Sequence, residues 1–197
     1  MSRVHEINPS MRIGSVQRQP QYTNGATKSM KVSKRIRKPE PVQPIKLELT
    51  YADLAKLSKF PWPYKDASVE ECSITDVFHY IPALERGRFM EELYRVMADG
   101  GKCIIVCAYY STMLAYADFH LEWPPVCEQS FLYFNKGWRE ANKLPYTLKC
   151  DFDFSYGYIP NPDLQNRNAE TQSFQIKSYL NTVQRLQVAL TKRPEGQ

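Results

Sequence analysis

The candidate catalytic side chains of this 197-residue chain lie in two short stretches. The first contains Asp76 and His79 at the end of an apolar segment, and the second contains Asp118 and His120. An imidazole titrates near neutral pH, so His120 above all, with Asp118 and His79, is a candidate for catalysis or for orienting a substrate. Each histidine also has a structural interpretation. His79 could pack at a strand end, and His120 could hydrogen-bond within its own segment.

The elements that must position these residues lie in the middle of the chain. A strand is predicted between Ser68 and Tyr80, centred on Cys72–Phe78, and a helix from Pro82 to Met97. The helix has an apolar stripe and an opposite charged face. The stripe consists of Leu84, Phe89, Leu93, Val96 and Met97, and the charged face of Glu85, Arg88, Glu92 and Arg95.

The segment Asp99-Gly100-Gly101 is predicted to end the helix, because glycine adopts the positive φ that a helix terminus needs. The next segment, Lys102–Tyr110, is almost continuously apolar, which predicts a strand buried on both faces of a parallel sheet. Strand, helix and strand together predict a βαβ unit whose ligand site lies at the carboxyl ends of the strands.

The flanking regions predict a short strand before this unit and a pair of strands after it. Residues 111–127 form an irregular, aromatic-rich insertion, and the two late strands are predicted to pair antiparallel. The predicted flanking strands are Ile45–Leu49, Lys149–Tyr158 and Arg185–Lys192, and the predicted flanking helices are Tyr51–Lys59, Glu128–Lys143 and Ala169–Thr182.

The net positive charge of the chain comes from its first part. Residues 1–46 contain ten Lys and Arg against two Asp and Glu, whereas residues 47–197 contain sixteen against nineteen. With few large apolar side chains, residues 1–45 are predicted to be a disordered basic tail and linker. Its segment 28–38 has two open interpretations, attachment to nucleic acid through phosphate contacts or a solvated tail that keeps the protein soluble.

Composition excludes several classes of protein. No apolar run is long enough to span a bilayer and no signal peptide is recognisable, so a cytoplasmic protein without membrane contact is expected. The five cysteines are widely spaced, and the three histidines complete no ligand cluster with them. Buried, reduced thiols are therefore expected, and no metal site.

The stretch between residues 60 and 110 resembles the type 11 family of class I S-adenosylmethionine-dependent methyltransferases. That family has a loop of the form LPF-D-S-D before its fourth strand and a helix end of the form E-L-R-V-L-P-G-G before its fifth. The first pattern is matched by Phe60, Pro61, Asp66 and Ser68, and the second by Glu92, Leu93, Arg95, Val96, Met97, Gly100 and Gly101. The late strand pair fits the sixth and seventh strands, so the resemblance covers about 135 residues.

The resemblance implies S-adenosylmethionine as the cofactor, with Phe60, Asp66 and Asp76 as candidate contacts. It also implies a substrate role for His120, since the family often has an Asp-Pro-x-His stretch after its fifth strand. By itself, Asp66 is a turn residue that accepts backbone hydrogen bonds.

The chain departs from the family where the cofactor normally binds. A glycine-rich turn should follow the first strand, but before residue 87 the only glycines are Gly14 and Gly25. The acid near the adenine is replaced by Lys56, with Asp53 three residues away. Because a backbone that approaches a ligand closely needs glycine, this chain alone is expected to lack much of the cofactor site.

The predicted fold is therefore α/β, an incomplete Rossmann-like methyltransferase domain over residues 46–193. It consists of a βαβ unit and a late antiparallel strand pair, preceded by the basic tail. Two functions remain open. The first is a methyltransferase-like protein with an unknown methyl acceptor, and the second is a non-catalytic remnant that serves as a binding or structural module. A partner chain that completes the sheet is compatible with both.

Overall fold

The computed structural model describes residues 45–194, which form a five-stranded mixed sheet with the order β1-β2-β3-β5-β4. The strands are β1 (Ile45–Thr50), β2 (Val69–Thr75), β3 (Met97–Ala108), β4 (Phe152–Pro160) and β5 (Val183–Lys192). The predicted basic tail lies outside the described residues, except for Ile45.

The first three strands are parallel, and β5 lies antiparallel between β3 and β4. This arrangement follows from the chain path, because the helix between β2 and β3 returns the chain to the same end of the sheet. The predicted α/β class, with its βαβ unit and late antiparallel pair, is confirmed.

The helix of the βαβ unit forms much as predicted, but its boundaries and those of β2 differ. This helix is α2 (Ala83–Val96). A short helix, α1 (Leu54–Leu57), lies between β1 and β2. The strand β2 ends at Thr75, since Asp76 has a φ of 55° and the following Phe78–Tyr80 is a 3-10 helix. The predicted strand to Tyr80 was thus five residues too long.

The glycine pair does not end α2 directly. The helix ends at Val96, and Gly100, with a φ of 74°, lies in an irregular first part of β3. There the register with β2 jumps from Val69–Met97 to Glu71–Lys102, so the glycines serve a bulge between two strands.

The predicted helix from Glu128 to Lys143 is two shorter elements. Residues Glu128–Phe134 are a 3-10 helix, and α3 (Lys136–Ala141) begins after Asn135, whose side chain accepts a hydrogen bond from the Trp138 N–H at 2.8 Å. Between the last strands lie α4 (Pro162–Gln165) and α5 (Ala169–Ser178). An asparagine that caps a new helix competes with continuation of the previous one.

The main core lies on one face of the sheet, against α2. From α2, Phe89, Met90 and Leu93 are fully buried, but Leu84 is 96% exposed, so its place in the predicted apolar stripe was wrong. The aromatic rings of Phe78 and Phe131 stack at 5.2 Å and continue this core towards the 3-10 helix.

The other face of the sheet is more exposed than predicted. Ile104 at the centre of β3 is 42% exposed, and Glu71 and Ala189 on neighbouring strands are exposed too. The prediction that β3 is buried on both faces was therefore wrong. An apolar sequence run cannot show whether a second layer of helices is present.

Two further predictions concern the cysteines and the membrane. Cys72, Cys103, Cys107 and Cys150 are buried free thiols and Cys127 is half-buried, as expected from the sequence. Within residues 45–194, no helix has the length and apolar character needed to cross a bilayer.

Candidate functional site

The carboxyl ends of the parallel strands meet at one edge of the sheet, which we call the carboxyl edge. Thr50, Thr75 and Ala108 are the last residues of β1, β2 and β3. The segments that follow these three strands are far apart in the sequence. The parallel sheet places them side by side at the same edge.

Three side chains from two of these segments form a hydrogen-bonded cluster, here called the Asp118 cluster: Tyr80, Asp118 and His120. The Tyr80 hydroxyl donates to Asp118 Oδ2 at 3.1 Å. The other oxygen, Oδ1, accepts from the His120 backbone N–H at 2.9 Å and lies 3.2 Å from His120 Nδ1. Tyr80 also packs against Tyr51, which follows β1, with ring centroids 4.6 Å apart.

These contacts favour an ionised Asp118. The hydrogen bond from the His120 backbone, with those from Tyr80 and the His120 ring, lowers the pKa of the Asp118 carboxyl. Burial raises the pKa of Tyr80, and its bond to Asp118 raises it further. The carboxylate fixes Nδ1 of His120, while Nε2 has no hydrogen-bond partner among residues 45–194. The cluster can thus orient an imidazole whose second nitrogen is available.

His79 is close to this cluster but is engaged differently. Its side chain is buried, and Nδ1 accepts a hydrogen bond from the Ala108 N–H at 3.3 Å. Burial lowers the pKa of His79 to about 4, and the charges of Arg185 and Arg86 act in the same direction, against the carboxylates of Asp76 and Asp118. The neutral ring uses its lone pair on the backbone, so it positions the ends of two strands rather than accepting a proton.

Asp76 is held by a partner that sequence reasoning missed. Its two carboxylate oxygens accept from Nε and Nη2 of Arg185, both at 3.1 Å, which joins the end of β2 to β5 across β3. Both side chains are a little over a third exposed. The pair leaves Asp76 satisfied within the fold.

Phe60 and Asp66 lie at the opposite edge of the sheet, here called the amino edge. Asp66 precedes the first residue of β2 by three positions, whereas Asp76 follows its last, so about 20 Å of strand separates them. Phe60 and Asp66 line a cavity of about 540 Å³ together with Arg88, Glu92 and Arg95. The three candidate cofactor contacts are therefore not brought together.

Arg95 accounts for most of the structure at the amino edge. It forms an ion pair with Asp66. It also forms a bidentate ion pair with Glu92, in which Nε and Nη2 of Arg95 donate to the two carboxylate oxygens at 3.0 and 2.6 Å. It also donates to the carbonyls of Tyr64 and Trp62 at 3.0 and 3.2 Å. The side chains of Glu92 and Arg95 are only 11% and 29% exposed, so their predicted solvent-facing position was wrong.

The turn after β1 does not fit S-adenosylmethionine in the way that the resemblance implies. Its residues are Thr50, Tyr51, Ala52 and Asp53, and the Asp53 carboxylate already accepts from the Thr50 N–H and from Lys56 Nζ, both at 3.2 Å. The Tyr51 ring in this turn packs at a tilt against Tyr80. Neither a glycine turn nor an unengaged acid is available at this point of the fold.

Comparison of the sequence with protein-family models and with curated proteins gives no match. Several solved structures similar to this chain are described as methyltransferases. One is a SAM-dependent methyltransferase from Archaeoglobus fulgidus, with 12% identity, a TM-score of 0.48 and coverage of 71% of this chain. Another is an S-adenosylmethionine-dependent methyltransferase from Mesorhizobium loti, with 14% identity, a TM-score of 0.38 and coverage of 69% of this chain and 67% of that one.

A third is geranyl diphosphate C-methyltransferase from Streptomyces coelicolor, with 10% identity and a TM-score of 0.40, covering 67% of this chain and 50% of that one. The chain spans 64% of the length of the Archaeoglobus protein. At these identities and scores, the similarities do not assign the chain to a family.

A buried arginine also positions the site, and its role was hard to predict from the sequence. Arg86 on α2 donates to the carbonyls of Ile81, Pro124 and Glu122, at 3.1, 2.7 and 3.1 Å, and so fixes the insertion that carries the Asp118 cluster. A charged residue between apolar positions of a helix was the available signal. It does not reveal that two of the three partners are carbonyls almost forty residues away.

Proposed function

We propose that this chain is an S-adenosylmethionine-dependent methyltransferase-like protein whose methyl acceptor binds beside the Asp118 cluster. The observation that carries the proposal is the cluster itself, which stands at the carboxyl edge where α/β sheets of this kind bind ligands. The sheet adds support, since β4 and β5 pair antiparallel, as predicted for the late strand pair that fits the sixth and seventh strands of the family.

In this function the protein's own residues act on the acceptor group. Asp118 holds His120 through Nδ1, and Nε2 accepts the proton of an acceptor hydroxyl or amine. Tyr80 anchors Asp118 from the other side of the edge. Methyl transfer needs mainly an aligned nucleophile, so an oriented imidazole is sufficient protein chemistry on the acceptor side.

The cofactor side is proposed to come from outside the described residues. The turn after β1 does not fit the cofactor, and β1 is the edge strand of the described sheet, with one side free for pairing. A partner chain that adds strands beside β1 would complete both the sheet and the cofactor half.

A second candidate function is a non-catalytic binding or structural module. Two contacts favour it. The Asp53 carboxylate already accepts hydrogen bonds from Thr50 and Lys56, and the Tyr51 ring packs against Tyr80, so the turn after β1 is stabilised without any ligand. In this case the basic segment 28–38, which lies outside the described residues, would tether the module to nucleic acid.

Calorimetric titration of the purified chain with S-adenosylmethionine and S-adenosylhomocysteine separates the two functions. Micromolar binding that persists in His120→Gln, whose change is on the acceptor side, supports the methyltransferase. If neither heat nor a thermal shift appears at millimolar ligand, the chain alone binds no cofactor. The same titration is then repeated with any chain that co-purifies stoichiometrically, and a second failure leaves the non-catalytic module.

A further inference from the structure

A second polar cluster lies where β3 ends, beside the last residues of β4, and is used by neither proposed function. It consists of Tyr109, Tyr158 and Glu128, and we call it the Glu128 cluster. The ring centroids of Tyr109 and Tyr158 are 5.2 Å apart. Glu128 opens the 3-10 helix that follows the insertion, and the Tyr110 N–H bond to the Val126 carbonyl, at 2.9 Å, holds that helix beside the end of β3.

Two side-chain oxygens in this part of the fold are buried without a hydrogen-bond partner among the described residues. They are Glu128 Oε2 and the hydroxyl of Ser111, two residues after Tyr109. Ser111 as a whole is only 9% exposed. A buried carboxylate oxygen without a donor is energetically unfavourable, so such atoms mark a place where a further group is expected.

The carboxylate acts on both tyrosines. Burial, partly offset by the hydrogen bond with the Tyr109 hydroxyl and supported by the nearby Glu128 carboxylate, raises the pKa of Tyr158 to about 12. Burial also raises the pKa of Tyr109, with the Tyr158 hydroxyl and then Glu128 adding to the effect. Both phenols therefore stay neutral, and the negative charge of the cluster is confined to Glu128.

Two further aromatic rings contact the two tyrosines of the cluster. Tyr110 lies 4.7 Å from Tyr109 and Tyr156 lies 5.7 Å from Tyr158, measured between centroids. Tyr110 and Tyr156 are 47% and 50% exposed, so they form the solvent side of the cluster. Exposed side chains change rotamer within nanoseconds, which gives a ligand a way in.

From these features we infer that the Glu128 cluster is a binding site for an alkylammonium group bearing at least one N–H. The N–H would donate to Glu128 Oε2, and the tyrosine rings would contact the cation through their faces. A metal ion is a poorer occupant, since no group of three metal-ligating side chains occurs within residues 45–194. The site requires neither a cofactor nor methyl transfer.

The test uses the full chain without S-adenosylmethionine and follows the tyrosine ring signals by two-dimensional ¹H–¹³C NMR. Butylammonium chloride is the probe, 1-butanol is the neutral probe of the same length, and tetramethylammonium chloride lacks the N–H donor. Butylammonium is expected to give saturable shifts at Tyr109 and Tyr158 and to bind at least about tenfold more tightly than either control.

Variants test the role of the carboxylate. Glu128→Gln is expected to weaken butylammonium binding by about tenfold or more, whereas Glu170→Gln, an exposed change of the same type on α5, leaves it unchanged. Tyr156→Ala, at a half-exposed position, is expected to fold and to weaken binding several-fold even where Glu128→Gln does not fold. Equal binding of butylammonium and 1-butanol, unchanged binding in the folded Glu128→Gln protein, or no shift with butylammonium would each overturn the inference.

Discussion

Both edges of the sheet carry charged residues, but the two edges differ in the hydrogen bonds that these residues make. At the amino edge, Arg95 binds two carboxylates and two backbone carbonyls, and Glu92 also accepts from the Trp62 N–H at 2.6 Å. At the carboxyl edge, Asp118 orients His120, whose Nε2 has no hydrogen-bond partner within residues 45–194. The charged groups of the amino edge are thus satisfied by the fold, whereas the carboxyl edge retains one ring nitrogen without a partner among these residues.

This difference shows why motif matches alone do not locate a site. Asp66, Glu92 and Arg95 match the family pattern, yet their contacts are those of a structural network that fixes the loop before β2 against α2. Asp118 and His120 match it only loosely but lie where ligands bind in α/β sheets. A match indicates which positions a fold needs, and only their remaining hydrogen-bonding capacity indicates chemistry.

The largest expected effect comes from removing the centre of the amino-edge network. Arg95→Met should lower the free energy of unfolding by about 3 kcal/mol, because it removes the ion pair that compensates the half-buried Glu92 carboxylate and the donor to two backbone carbonyls. Urea denaturation measures the change. Arg88→Met, on the exposed side of the same helix, should cost less than about 1 kcal/mol. Similar losses in both variants would contradict a structural role specific to Arg95.

An intermediate effect is expected from pH at the carboxyl edge. The folded pKa of His79 is about 4, below its ordinary value of 6.5, so the unfolded chain binds the proton more readily. Stability from this group is complete above about pH 6.5 and is lost as pH falls towards 4. Between pH 6.5 and 4.5 this amounts to about 2 kcal/mol, measured by urea denaturation at each pH.

His79→Gln is the matched variant, since its amide oxygen can still accept from the Ala108 N–H but does not titrate. The difference in pH dependence between the two proteins isolates His79 from the carboxylates that titrate in the same range. Parallel pH profiles would show that His79 is not buried in its neutral form.

The smallest effect on stability is expected at the Asp118 cluster. His120 is exposed, and its side chain makes one hydrogen bond to Asp118 and one ring contact with the adjacent, exposed Phe119, so His120→Gln should change the free energy of unfolding by no more than about 0.5 kcal/mol. Denaturation compares it with wild type. A loss near that of Arg95→Met would mean that the cluster is structural, and the contrast between the two edges would disappear.

Several helices and strands could be predicted from the local sequence pattern alone, but the residues at which they begin and end could not. The segments that became α2, β3 and β5 have periodic or continuous apolar runs and were placed correctly to within a few residues. The prediction of strand to Tyr80 failed because Val77 and Phe78 are apolar in a 3-10 turn that packs in the core, as a strand residue would. Apolar runs report burial, and burial does not distinguish a strand end from a compact turn.

The candidate site was predictable in part for the same reason. Asp118, His120 and His79 were identified by residue type and by their place after predicted strands, and they do lie near one another. The partners Tyr80, Arg185 and Ala108 come from segments far apart in sequence, up to 109 residues away in the case of Arg185 and Asp76. No local signal encodes such a pairing.

The sequence by itself determined the order of the elements, the βαβ unit and the burial of the thiols, because each depends on local periodicity and side-chain polarity. The tertiary structure alone decided which charges are satisfied. It made Arg95 and Asp76 members of closed ion pairs, buried His79 as a neutral ring, and left His120 Nε2 and Glu128 Oε2 without hydrogen-bond partners among the described residues. Hydrogen bonds and pKa values depend on distances between remote segments, which exist only once the chain has folded.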